Sequence, residues 1–295
     1  MTARVDSAPA DSQAEAFKRL YPDQYYRRFL SQNTRPDGRS LTQTRPASVV
    51  LGVITSADSS ALIKIGNTTV IAGVKLEVLM PKDPPDQGCL QVNVELTTLC
   101  SPEMRDNRPT EVPSFLTQQV DAAVRGSSAW QPQALCIQAG RAAWAVYLDL
   151  YVLCADGVLL DACVLAAMAA LNALRLAPVD VTDAGNVVAA GNDAMTDGTS
   201  HPQQPYALSK QGTPLTLTCA VIDDRLIADP SSEEESLAAT VVSTTVDGQG
   251  HVMGLQHAGG GVELSTAHLQ QCITAAQDRH TDLFRVLSSA QPPDH

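Results

Sequence analysis

A chain of 295 residues with 44% hydrophobic content is long enough for one large domain or two small ones around a substantial core. No run approaches the ~20 apolar residues needed to span a bilayer, and Met1 to Asp11 lacks a charged-then-apolar leader, so a soluble, unsecreted protein is expected. The formal charge of −12 argues against a surface that grips nucleic acid by itself, because phosphate binding draws on Lys and Arg releasing counterions.

Residues 1–20 mix Ala, Ser, Asp and Gln without a stable apolar period, which predicts a flexible tail. Tyr21 to Leu30 reads as a short docking helix. Its strip Tyr25-Tyr26-Arg27-Arg28-Phe29-Leu30 suits either an interface or packing on its own domain. In Arg35-Pro36-Asp37-Gly38-Arg39, Pro36 presets its own φ, Asp37 can bond its own backbone and Gly38 accepts a positive φ, so a turn is expected. Strands follow from Ala47 to Val78, broken at Gly52, at Ala57-Asp58-Ser59 and at Gly66-Asn67, a tight hairpin signal between β-branched runs. With a further strand from Leu90 to Leu96 they predict an antiparallel sheet. Met80 to Gly88 and Ser101 to Glu111 read as loops, the kind of segment that often carries function.

Pro113 suits the first turn of a helix that runs through Leu116, Val120 and Val124 to Gly126. A strand from Ala142 to Leu153 ends at Asp156-Gly157. Asp161 is expected as the N-cap of a helix from Ala162 to Leu174, apolar on all sides and therefore buried on all sides. Asp180 to Pro205 is polar and aperiodic, a linker or surface excursion. Strands are then expected at Thr213 to Ile222, Leu226 to Ala228, Leu237 to Val246 and His251 to Gln256, with the turn Asp247-Gly248-Gln249-Gly250, followed by a helix from Ser265 to about Leu287. The order recurring around Asp156-Gly157 and Asp247-Gly248 predicts an α+β protein of two similar lobes packed as one body. Its divisions would be a tail at 1–20, a first lobe at 21–180, a linker at 181–205 and a second lobe at 206–290. Seven scattered cysteines, with no C-x-x-C pair, read as reduced core thiols. Arginine outnumbers lysine 15 to 5, which fits buried ion pairs or bidentate phosphate contacts, and equally a GC-rich genome.

With these elements placed, the chain resembles the ribonuclease PH family, the phosphorolytic exoribonucleases and their ring-forming relatives in the RNA exosome. The residues that carry the likeness are Tyr25 to Leu30, Arg35 to Arg39, Gly66-Asn-Thr-Thr-Val70, Gly73-Val-Lys75, Leu159-Leu-Asp-Ala-Cys163 and Asp229-Pro230 with Glu233-Glu234-Glu235. The resemblance extends over nearly everything from Tyr25 to Leu287. It implies the ribonuclease PH-like fold, of the ribosomal protein S5 domain 2-like kind. It also implies a six-membered ring of such subunits around a channel, capped by S1 or KH proteins and threading RNA to nucleases. A eukaryotic, non-catalytic ring subunit of the nucleus, nucleolus and cytoplasm, without a cofactor, is what the likeness suggests.

In catalytic relatives a Glu-Glu-Asp run is followed six residues later by a second Asp, and such paired carboxylates can hold Mg²⁺ or assist proton transfer as phosphate attacks. Here the run is Glu233-Glu234-Glu235, and six residues past Glu235 stands Val241, which can do neither. Active members also carry a Gly-Ser pair for phosphate ahead of the last helix. This chain has Gly259-Gly260-Gly261, a degenerate phosphate loop or a plain connector. Arg105 and Arg108 lie where ring relatives place channel-facing arginines, so they are candidates for RNA contact, against a solvated loop or a subunit salt bridge. His268 and Cys272, one helical turn apart, lack further ligands nearby, so no metal site is expected. Asp161 is explained by capping and Glu233 to Glu235 by a charged turn. An active phosphate-dependent exoribonuclease is the alternative, with Asp223, Asp224 or Asp229 standing in for the absent carboxylate.

Overall fold

The computed structural model describes residues 10–81, 84–97, 100, 111–176, 179–181, 187–189, 212–258 and 264–290. It opens on a helical pair, α1 (Ala10–Leu20) and α2 (Pro22–Ser31). Residues 10–20 were expected to belong to a flexible tail; they are helical because α2 gives their apolar and basic side chains something to hold. Phe17 meets Tyr21 and Tyr25 at ring distances of 5.8 and 6.5 Å, Arg28 lies 4.8 Å over the Phe17 ring, and Lys18 pairs with Glu233 at 2.6 Å. Tyr26 and Leu30 turn inward from α2, and Leu30 packs with Ile222 and Ile227, so this strip serves its own domain.

The chain then forms β1 (Ala47–Leu51), β2 (Ser59–Ile65), β3 (Thr68–Leu79) and β4 (Cys89–Leu96), passes through α3 (Val112–Gly126), and continues with β5 (Cys136–Gln138) and β6 (Ala142–Cys154). In space the first sheet runs β1-β2-β3-β6-β4, with β5 beside β6. The Gly66-Asn67 turn sets Ile65 opposite Thr68. Gly66 has φ +56, and a Cβ there would lie 2.4 Å from Arg45 Cδ, so both the turn and its neighbour require glycine. The sheet is mixed: β4 runs parallel to β6, where an antiparallel sheet was expected. The intervening helix α3 supplies the long crossover that parallel strands need.

Helix α4 (Leu159–Ala173) lies on the inner face of this sheet, and twelve of its 15 residues are buried. Burying each Leu or Val of this kind contributes about 1.5–3 kcal/mol. β7 (Val179–Val181) and β8 (Val187–Ala189) pair antiparallel, a ladder that runs into the stretch read as a linker or surface excursion. The second sheet comprises β9 (Leu215–Ile222), β10 (Arg225–Ala228), β11 (Thr240–Val246) and β12 (Val252–Ala258), in the order β10-β9-β11-β12. Between β10 and β11 stands α5 (Ser232–Leu237), where a charged turn was expected. It forms because Ser231 and Glu234 make a reciprocal capping box.

The final helix α6 (Thr266–Ser289) covers the far side of the second sheet. All eight residues of β9 are buried because α4 packs on one of its faces and α6 on the other. Thr218 meets α4 through Asp161, and Leu217 and Cys219 join Cys272 and Ala276 of α6. The layers are sheet, helix, sheet, helix. This sandwiching explains why α4 has no polar side, and it brings the start of α4 against the β10–α5 corner.

Candidate functional site

A buried helix begins with amide groups that have no partner of their own, and its N-terminus is a natural anion site. Gly157 and Val158 shape that end of α4. Both have positive φ, +74 and +47, and a Cβ on Gly157 would stand 2.5 Å from the carbonyl oxygen of Pro230. The two segments thus touch backbone to backbone. In that contact Glu235 Oε1 accepts a hydrogen bond from the Val158 amide at 2.7 Å. Burial raises the Glu235 pKa, and the Val158 bond and Arg45 only partly counter it.

Asp161 is not the N-cap expected of it. The helix starts at Leu159, three residues before the expected Ala162, with Val158 in the cap position. Asp161 occupies the first turn instead and reaches across to the second sheet, where the Thr218 amide and hydroxyl both bond its carboxyl at 2.7 Å. The hydroxyl of Thr218 is also 2.9 Å from Ser243 Oγ on β11. Burial pushes the Asp161 pKa up to about 8, against those two bonds, with the charges of Asp229 and Glu235 adding to the rise.

Around these acids lies a seam of arginines. Asp229, buried and at φ +51, is gripped by Arg45: Nε is 3.1 Å from both carboxylate oxygens and Nη2 is 2.7 Å from Oδ1. Arg45 also donates to the carbonyls of Asp156 at 2.7 Å and Pro230 at 3.3 Å. Burial opposes its charge, but Asp229 more than offsets this and holds the Arg45 pKa above its usual value. Arg35, 1% exposed, forks onto the Glu234 carboxylate and donates to the carbonyls of Ala228 and Asp229 at 2.8 and 2.9 Å. Arg39 reaches Asp37 and the Asp229 carbonyl. Arg279 of α6 donates to the Arg45 carbonyl at 2.7 Å; burial lowers its pKa, partly countered by Asp229 and Asp161.

The glutamate run therefore divides its labour. Glu233 takes Lys18 and Tyr26, Glu234 takes Arg35 and the Ser231 amide, and Glu235 takes the start of α4. Among the described residues no group of three or more His, Cys, Asp or Glu side chains is placed to hold a metal ion. A phosphate brought to the head of α4 would displace Glu235 from the Val158 amide and find the Arg45 guanidinium already held by Asp229. This arrangement ties two sheets together, and among the described residues no free cation is aimed at the helix start.

Val241 lies on β11 opposite Ala220 and Ala258, on the same face as Ser243 and so on the side turned toward Asp161. β11 carries no acid. Arg105, Arg108 and Gly259 to Gly261 fall outside the described residues. His268 Nε2 is 3.8 Å from Asp224, while the Cys272 thiol is hydrogen-bonded to that of Cys219, so these two share a helix face and no ligand. Of the seven cysteines, all free, Cys89 and Cys154 are exposed and do not fit the core-thiol reading. Arg45 and Arg279 were missed, with the excess of arginine over lysine their only trace, and Asp156 was read only as a turn residue.

The model of the 3′ exoribonuclease family matches this chain in both its parts, domain 1 over residues 43–177 and domain 2 over residues 212–279. The exosome complex component Rrp42 of Aeropyrum pernix is 34% identical over 91% of this chain and 94% of its own length. That of Saccharolobus islandicus is 38% identical over 79% of this chain and 81% of its own. Among solved structures, the Archaeoglobus fulgidus exosome with RNA bound to the active site contains a chain that superposes with a TM-score of 0.73 at 29% identity. It covers 93% of this chain and 99% of that one.

Proposed function

Because the chain belongs to the 3′ exoribonuclease, or ribonuclease PH, family and has its two-domain α+β fold, we propose that it is a ring subunit of an exosome core that contributes structure rather than chemistry. In this reading it supports 3′-to-5′ RNA processing and degradation, including ribosomal RNA maturation and mRNA turnover, by its place in the ring. The observation that carries it is the head of α4, where Glu235 occupies the anion position and Arg45 and Arg35 are committed to Asp229 and Glu234. Val241 supports it, standing where the family's catalytic members are expected to carry a carboxylate. Its partners would be other ribonuclease PH-like subunits in a six-membered ring, S1 or KH caps, and RNA through the assembled channel.

A finer reading is a eukaryotic subunit like ribosomal RNA-processing protein forty-three, resident in nucleus, nucleolus and cytoplasm. The run Leu159-Leu-Asp-Ala-Cys163 and the Asp229-Pro230 to Glu235 stretch support it, while the relatives above are archaeal Rrp42 chains. The purified chain incubated with RNA, Mg²⁺ and inorganic phosphate tests the absence of chemistry. No release of nucleoside diphosphates is expected. Release that disappears in Glu235→Gln, which keeps an acceptor for the Val158 amide, would establish an active exoribonuclease instead.

A further inference from the structure

One side of the first sheet carries no helix among the described residues. Helices α3 and α4 both pack on the inner face, and the 52–58 loop reaches the outer one at Gly73, where Ile54 lies 3.5 Å from the place of a Cβ. Strand register aligns Val50, Leu62, Ile71 and Tyr151 in one apolar row across β1, β2, β3 and β6, and Glu95 ends it on β4. Val50 is 53% exposed and Tyr151 38%. Tyr147 and Asp149 share this face, since residues two apart on a strand point the same way.

Lys64, two residues from Leu62, is exposed on β2 at the β1–β2 side of this face, whereas the charges over β3, β6 and β4 are one-sided. Lys75 is taken by Asp58 at 3.6 Å and the Ser56 carbonyl at 3.2 Å. Glu77, Asp149 and Glu95 have no cation partner among the described residues; Asn93 Nδ2 alone bridges Glu95 and Asp149, at 3.2 and 3.4 Å. Three carboxylates around two tyrosine rings form a receptor for guanidinium or ammonium groups, which gain from both ion pairing and the ring faces. The same carboxylates repel phosphate.

We propose that this sheet face docks a neighbouring protein chain through an arginine- or lysine-bearing strip with apolar flanks, the apolar groups on the Val50–Tyr151 row and the cations among Glu77, Asp149 and Glu95. The inference rests on the ring-subunit reading and names the surface by which this chain meets its neighbour. Five strands at ~4.8 Å spacing and the ~20 Å from Tyr147 to Leu153 give about 400 Å² in projection. That is the size of an interface centre, with a polar rim completing the ~800 Å² per partner of a standard interface.

The test uses the full chain with the ribonuclease PH-type subunits encoded by the same genome, titrated by native mass spectrometry. The double variant Glu77→Arg with Glu95→Arg, and separately Tyr151→Ser, are expected to weaken association at least tenfold, and the charge variant to lose most of the salt sensitivity. Thermal melting, expected unchanged because both variants are altered at surface positions, checks that they remain folded. Binding within twofold of the unaltered chain would overturn this surface while leaving ring membership intact. Failure of the unaltered chain to bind any such subunit would overturn the ring reading and this proposal with it. A labelled RNA oligonucleotide that binds the chain and is released by Tyr151→Ser would assign the face to nucleic acid instead.

Discussion

Asp161 is where a single residue most clearly trades stability for position. Its carboxyl is held between the first turn of α4 and Thr218, and burial raises its pKa from 3.8 to about 8. Between about pH 4 and pH 8 the folded chain keeps the proton that the unfolded chain has released. Raising the pH through that window therefore favours unfolding, and the stabilisation present below pH 4 is lost by pH 8. Asp161→Asn keeps the shape and cannot ionise. Its urea midpoint, measured against that of the unaltered chain, is expected to gain steadily as pH rises from 4 to 8; a constant difference would show that Asp161 does not titrate in this window. The pairing itself was invisible in the sequence. A single acid before an apolar run looks like a cap, and nothing local announces a threonine 57 residues away. The same holds for Arg35 with Glu234 and Arg45 with Asp229, 199 and 184 residues apart.

Elements were legible where their cause is local. The Gly66 hairpin, the strands on either side of it and the almost wholly apolar α4 follow from turn chemistry and periodicity within the segment. Helix α1 was not legible, because its Phe17 and Lys18 acquire partners only when α2 and α5 lie beside them. The parallel β4–β6 pairing had its signal in the strand-helix-strand order, which the antiparallel expectation passed over. The α4 junction offers the sharpest test at this scale. Gly157→Ala would place a methyl 2.5 Å from the Pro230 carbonyl while the backbone stays at positive φ. Denaturant unfolding should show a loss of at least about 2 kcal/mol, combining left-handed strain and overpacking. A loss below about 0.5 kcal/mol would mean that the β10–α5 corner yields, and that Glu235 is not held rigidly at the helix start.

Across the molecule, the sheet-helix-sheet-helix layering has a seam of arginines and carboxylates near its middle and, at one end, a sheet face on which no helix packs among the described residues. The seam uses its cations internally, which leaves a strongly acidic body whose engagement with RNA depends on what surrounds it. The resemblance read from the sequence identified this body plan, and in the proposed reading the Glu235-occupied head of α4 is what sets it apart from a catalytic subunit. Assembly is thus the function the architecture favours. The most direct measurement is the mass of the complex formed when this chain is produced together with the ribonuclease PH-type and S1 or KH proteins of the same genome. A closed six-membered ring with this chain as a stoichiometric member is expected; a chain that stays monomeric while the others assemble without it would refute ring membership.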